Sequence, residues 1–138
     1  MKFFEWLDSY SVHNPSIDAE HKIFFKLTNK LISAHNNGLD DYCCGRLVLE
    51  VQKYAEFHFV SEENFMIDID YPFLDAHQKQ HTLILEKFNI ELNYIELGQR
   101  SYAEFTTFLV DWLKDHTITE DKKIGDFLKG NSDLMGSR

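Results

Sequence analysis

Residues 40–65, DDYCCGRLVLEVQKYAEFHFVSEENF, carry the pattern that decides the fold. Leu47, Val51, Tyr54, His58, Glu62 and Phe65 recur at spacings of three and four, the period of one face of an α-helix. Asp40 and Asp41 stand in front of the run, where negative charge suits the positive end of the helix dipole. Two members of this stripe, His58 and Glu62, are polar on a face that should be apolar core.

The same period recurs on either side. Upstream, Asn14-Pro15-Ser16 offers a turn and an N-cap, and Ile17, His21, Phe24, Phe25, Thr28, Leu31 and Ile32 mark a helix face that Gly38 ends. Downstream, Pro72 occupies a favoured first helical position and opens a stripe of Phe73, His77, His81, Ile84, Phe88, Leu92 and Ile95, stopped by Gly98. Ser101 and Glu104 have the spacing of a capping box, and the helix they begin carries Phe105, Phe108, Leu109, Trp112 and His116. Gly and Pro are scarce, at 6 and 2, and Pro15, Gly38, Pro72 and Gly98 stand at the boundaries of these segments. Four helices with short connections predict an all-α, up-down-up-down four-helix bundle. An aromatic N-terminal arm (Phe3, Phe4, Trp6, Leu7, Tyr10) precedes it. The β-branched run Thr117-Ile118-Thr119 predicts a break or tight turn before a short C-terminal helix through Phe127 and Leu128, with a polar, frayed tail from about Asn131. Residues 1–138 read as one domain.

Composition narrows the function classes. The chain has 138 residues, 14 Lys and Arg against 23 Asp and Glu, and a net charge of -9, so the electrostatic footprint for nucleic acid or an anionic bilayer is absent. Apolar runs are far too short to span a membrane, and 43% hydrophobic content is too high for a disordered acidic chain. The N-terminus has neither a long apolar core nor a small-residue cleavage site, so the expected address is the cytoplasm. Cys43 and Cys44 are sequence neighbours and no structural disulfide framework; one is expected to be buried in its helix.

Seven histidines are the telling excess. His58 and Glu62, and His77 and His81, are i,i+4 pairs on single helix faces, close enough to hold one metal ion or neighbouring ions. Singly, neither pair is specific. Together, His21, His58, Glu62, His77, His81 and His116 would all point inward, at a cost of about 1–3 kcal/mol for each polar group left unsatisfied. A shared metal centre removes that conflict. Imidazole and carboxylate donors suit iron, and equally zinc, copper or manganese. His35, in the last turn of the first helix, and His13 read as surface residues. Glu63 and Asp115, beside inward-facing residues, read as partners for imidazole N–H groups.

These residues resemble a known family, the hemerythrins, and specifically the bacterial hemerythrins. The resemblance lies in Ile17-Asp18-Ala19-Glu20-His21-Lys22, His58-Phe59-Val60-Ser61-Glu62-Glu63, His77-Gln78-Lys79-Gln80-His81, and the run from Trp112 through His116 to Asp121 and Lys122. It implies two iron ions bridged by an oxo or hydroxo group and by the carboxylates of Glu62 and Asp121. His77, His81 and His116 would serve one iron, and His21 and His58 the other. Three histidines then complete six ligands while two make only five, and dioxygen would bind reversibly at the open position. Thr117 stands where the family usually carries a large aliphatic residue, which makes it a candidate for the oxygen pocket. The i,i+5 spacing of His116 and Asp121 would separate them on an unbroken helix, so an irregularity is required between them.

The function implied is non-enzymatic: oxygen carriage, storage or delivery, with dioxygen as ligand, no nucleic acid or membrane partner, and a monomer expected. The alternative is a sensor of oxygen, nitric oxide or redox state acting through a signalling partner, whereas a carrier would serve an oxidase. The carboxylate-rich di-iron enzymes use Glu-x-x-His motifs, and this sequence has none.

Overall fold

The computed structural model describes residues 3–136, with side chains over 3–130 apart from Ile118. Four long helices, α1 (Pro15–Asn36), α2 (Asp41–Asp68), α3 (Leu74–Glu96) and α4 (Tyr102–Asp115), pack in a closed ring, each antiparallel to the next, and α5 (Lys122–Gly136) follows. The expected bundle is therefore present, and among the described residues no helix is long and apolar enough to cross a membrane.

The helix starts are set by side chains accepting backbone N–H groups that would otherwise be unpaired. Asn14 Oδ1 accepts from Ile17 N at 3.0 Å, and Asp40 Oδ1 accepts from Cys43 N at 2.8 Å. At α4 the capping box is reciprocal, with Ser101 Oγ accepting from Glu104 N and Glu104 accepting from Ser101 N. The stops are equally local. After α1, Gly38 N and Leu39 N bond back to His35 O and Ala34 O; after α3, Gly98 N and Gln99 N bond to Ile95 O and Tyr94 O. Both glycines lie in the left-handed region, with φ 66° and 72°. This pair of bonds terminates a helix while satisfying its last carbonyls.

Two boundaries differ from expectation. The end of α2 uses the same pair of bonds, Asp70 N to Ile67 O and Tyr71 N to Met66 O, with Asp70 at φ 52° in place of a glycine. The chain then needs Pro72 and Phe73 for a turn, Leu74 N bonding to Tyr71 O, before α3 begins at Leu74. Pro72 is thus outside α3, and Phe73, expected in the core stripe, is 63% exposed. At the other end, no break separates α4 from α5. His116–Asp121 forms a π-helical turn that carries the chain on without interruption. The backbone stays helical through Gly136, and the side chains of the polar tail expected from Asn131 lie outside those described.

Packing is layered along the bundle axis. Phe24, Leu31, Val48, Val51, Ala55, Phe59, Ile84, Phe88, Phe105, Leu109 and Leu113 fill one large apolar core. A smaller cluster of Met66, Tyr71 and Ile124 closes the far end. Between these layers each of the four helical strands of the bundle contributes polar side chains instead. The buried face of α2 is broader than its sequence stripe, taking in Val48, Ala55, Phe59 and Met66, while Leu47, Tyr54 and Phe65 flank it half-buried. That breadth follows from packing against both α1 and α3. The arm folds over α1, where Asn29 exchanges two hydrogen bonds with the Phe4 backbone, at 2.7 and 2.8 Å. Its following loop lies against α5 so closely that a Cβ on Gly125 would stand 2.9 Å from Val12 Cα.

Candidate metal centre

The polar layer contains His21 from α1, His58 and Glu62 from α2, His77 and His81 from α3, and His116 and Asp121 from the two ends of the π turn, all at most 5% exposed. The i,i+4 pairs put two donors on one face of α2 and two on α3. His116 and Asp121 obey a different rule. A straight α-helix would turn residue i+5 about 140° away from residue i. The π turn absorbs one extra residue, and Asp121 comes back beneath His116, with His116 Nε2 3.1 Å from Asp121 Oδ1.

The seven side chains form two clusters that share both carboxylates: Glu62, His77, His81, His116 and Asp121 in one, and His21, His58, Glu62 and Asp121 in the other. The carboxylates are divided oxygen by oxygen. Glu62 Oε1 lies 2.9 Å from His77 Nε2 and 3.3 Å from His81 Nε2, while Oε2 lies 3.0 Å from His21 Nε2 and 3.3 Å from His58 Nε2. Asp121 Oδ1 faces His77 and His116 at 3.0 and 3.1 Å, and Oδ2 faces His21 at 3.2 Å. All seven expected residues are thus brought together, three imidazoles against one pair of oxygens and two against the other.

The rings are held from behind. Glu20 Oε1 accepts from His58 Nδ1 at 2.8 Å, and its second oxygen accepts from Ser61 Oγ at 2.7 Å. Glu63 Oε2 accepts from His81 Nδ1 at 2.9 Å, as expected from the sequence. Asp115, the other expected partner, is exposed, because it sits one residue and about 100° around α4 from His116. Glu20 and Ser61 carried no sequence signal beyond their positions inside the motifs, because their partner is on the neighbouring helix. Phe59 stacks on the His81 ring at 4.0 Å and Trp112 on the His116 ring at 4.9 Å.

This donor set fits metal cations and fits a plain hydrogen-bonded core badly. A neutral imidazole has one N–H. With Nδ1–H given to Glu20 or Glu63, the Nε2 atoms of His58 and His81 present lone pairs to the Glu62 carboxylate. His81 Nε2 also faces His116 Nε2 at 3.2 Å, and buried Asp121 Oδ1 has two imidazole nitrogens, those of His77 and His116, close by at 3.0 and 3.1 Å. Charge tells the same story. Burial acts most strongly on His21 and disfavours its charged form, yet the hydrogen bonds and negative charge of Asp121 and Glu62 outweigh it and push its pKa up to about 10; His77 reaches about 10 for the same reasons. Burial would raise the Glu62 and Asp121 carboxyls, and the surrounding imidazoles hold both well below the usual carboxylate range. The pocket is built to be filled by positive charge, which metal cations supply while leaving the imidazoles neutral.

Residues 13–128 match the family model of the hemerythrin HHE cation binding domain. The chain belongs to the hemerythrin family. Hemerythrin relatives cover most of its length. A bacteriohemerythrin of Clostridium acetobutylicum is 32% identical over 87% of this chain and 97% of its own. One of Stenotrophomonas maltophilia is 26% identical over 95% of this chain and 85% of its own, and one of Pseudomonas aeruginosa 28% over 84% and 75%. The hemerythrin cluster of this chain is accordingly a metal site made of buried imidazoles and carboxylates.

Proposed function

We propose that this hemerythrin binds dioxygen reversibly at a pair of iron ions. His77, His81 and His116 would hold one, His21 and His58 the other, and Glu62 and Asp121 would bridge them with an oxo or hydroxo group. The observation that supports this reading is the unequal division of donors. Each shared carboxylate offers one oxygen to each cluster, so one metal position has five protein donors and the other four. With one protein donor fewer, the poorer position would leave coordination open for a small ligand. A ferrous pair supplies the two electrons that reversible capture of dioxygen requires.

The protein side of the task is to orient and to exclude. Glu20 and Glu63 fix two rings from outside and make their inner nitrogens better donors. Phe24 meets the His58 ring edge-on at 6.0 Å, and Tyr54 lies parallel to it at 6.2 Å with its hydroxyl donating to Glu20 O. This apolar wall on the two-histidine side keeps water from the bound ligand. Five neutral imidazoles against two carboxylates disfavour high-valent iron, so binding, not O–O cleavage and turnover, is the activity the donors suit. Oxidant-dependent hydroxylation by the purified protein would count against that reading.

Thr117, buried at 1% exposure next to His116, is the residue we assign to the oxygen pocket. Its hydroxyl admits water where the family usually carries an aliphatic side chain, and Thr117→Ile should slow autoxidation; an unchanged rate would remove the residue from the pocket. The decisive experiment reduces the iron-loaded protein anaerobically and follows its visible absorption as air is admitted and withdrawn. A charge-transfer band that comes and goes with oxygen, at two irons per chain, is expected. Iron that air converts directly to a stable oxidised form would overturn carriage and favour a sensor acting through a partner protein.

A further inference from the structure

Two of the seven clustered side chains border clefts on the outside of the bundle. His116 lines a cleft of about 340 Å³ and His77 one of about 360 Å³; none of the other five lines either. Gln80 and Glu120 stand in the walls of both. Gln80 and Glu120 stand together where the two clefts adjoin, and the Glu120 carboxylate also accepts from Lys123 Nζ at 3.2 and 3.3 Å. The Gln80–Glu120 contact ties the middle of α3 to the π turn one residue before Asp121, and it is the partition between the two clefts. Gln80 Oε1 is buried there without a hydrogen-bond partner.

Around the rest of the centre the rings of Phe24, Tyr54 and Phe59 pack on imidazoles, whereas Trp112 lines the His116 cleft itself. A cation cannot shed its water along the packed rings, because each lost water must be replaced by a polar atom. On the Gln80 side those atoms exist: the Glu120 oxygens, then Gln80 Oε1, then the imidazoles of His77 and His116. Asp115 adds a second carboxylate to the lining of the His116 cleft, to which Lys87 also belongs.

We propose that the Gln80–Glu120 contact is the port through which metal ions reach and leave the centre. When it opens, the two clefts merge over His77 and His116, and the ion passes from Glu120 to the histidines. The port rests on the reading of the cluster as a metal centre.

The test loads the protein with ferrous iron anaerobically, adds an excess of a water-soluble ferrous chelator and follows iron transfer. Gln80→Ala and Glu120→Ala each remove one side of the latch, and each should speed iron loss about three- to tenfold, the factor set by one polar contact. Iron per chain before chelation should match the wild type. Val48→Ala is the control: it weakens the apolar core about three helical turns along α2 from His58, so it should lower the melting temperature and leave the rate of iron loss unchanged. Rates for both latch variants within about twofold of the wild type, or an equal acceleration in Val48→Ala, would overturn the port. A wild-type protein that takes up no iron would fail earlier, removing the metal reading itself.

Discussion

Glu20 makes no contact with the inner face of the centre, yet its carboxylate decides how His58 presents Nε2, because an imidazole bonded through Nδ1–H has only one lone pair left to direct. Glu63 does the same for His81 on the other side. Glu20→Ala and Glu63→Ala should each weaken metal binding by about 10- to 100-fold in chelator competition, with helicity unchanged. A loss below about twofold in both would show that the aromatic stacks alone orient the rings. At this scale six of the seven inner residues were legible in the helical period, which says which side chains face inward; Asp121 followed only from the family resemblance. The supports of these residues were less legible. Glu63 was expected and Glu20 was not, because the period gives the face of a residue and not its partner across the gap between α1 and α2.

At the scale of elements, starts and stops were mostly readable because caps are local chemistry. Asn14, Ser101, Glu104, Gly38 and Gly98 all act within a few residues of themselves. The end of α2 was not readable, since it places Asp70 in the left-handed region that L-residues enter at a cost of about 1–2 kcal/mol. Asp70→Gly should therefore raise stability by roughly 0.5–1 kcal/mol in urea unfolding, and Ser101→Ala should lower it by about 1 kcal/mol. If Asp70→Gly destabilises, the Asp70 side chain contributes more than its backbone costs. The π turn belongs here too. Its β-branched residues signalled an irregularity, but a break and an inserted residue look alike in sequence; contact of Asp121 with His21, His77 and His116 selects the second.

For the molecule as a whole, the polar layer lies between two apolar clusters, and folding must bury five imidazoles and two carboxylates together. Metal ions bound only by the folded state add their binding energy to its stability. Removing them with a strong chelator should lower the melting temperature on the order of 10 °C, reversibly on adding iron back. An identical melting curve with and without metal would mean that protons satisfy the centre equally well. The arm is a second whole-molecule dependence. Gly125→Ala puts a methyl group against Val12 backbone that cannot move aside alone, and should cost about 1–3 kcal/mol.

Periodicity and capping are properties of neighbouring residues, so the helices, most of their caps and six of the seven inward-facing residues were legible along the chain, while Asp121 followed only from the family resemblance. Helix packing alone sets how the oxygens of Glu62 and Asp121 are shared between two sets of imidazoles, that Glu20 and not Asp115 holds a ring, and that Gln80 and Glu120 stand between the centre and the solvent. Each of these depends on distances between helices far apart in the chain, which are set by packing and not by any local preference.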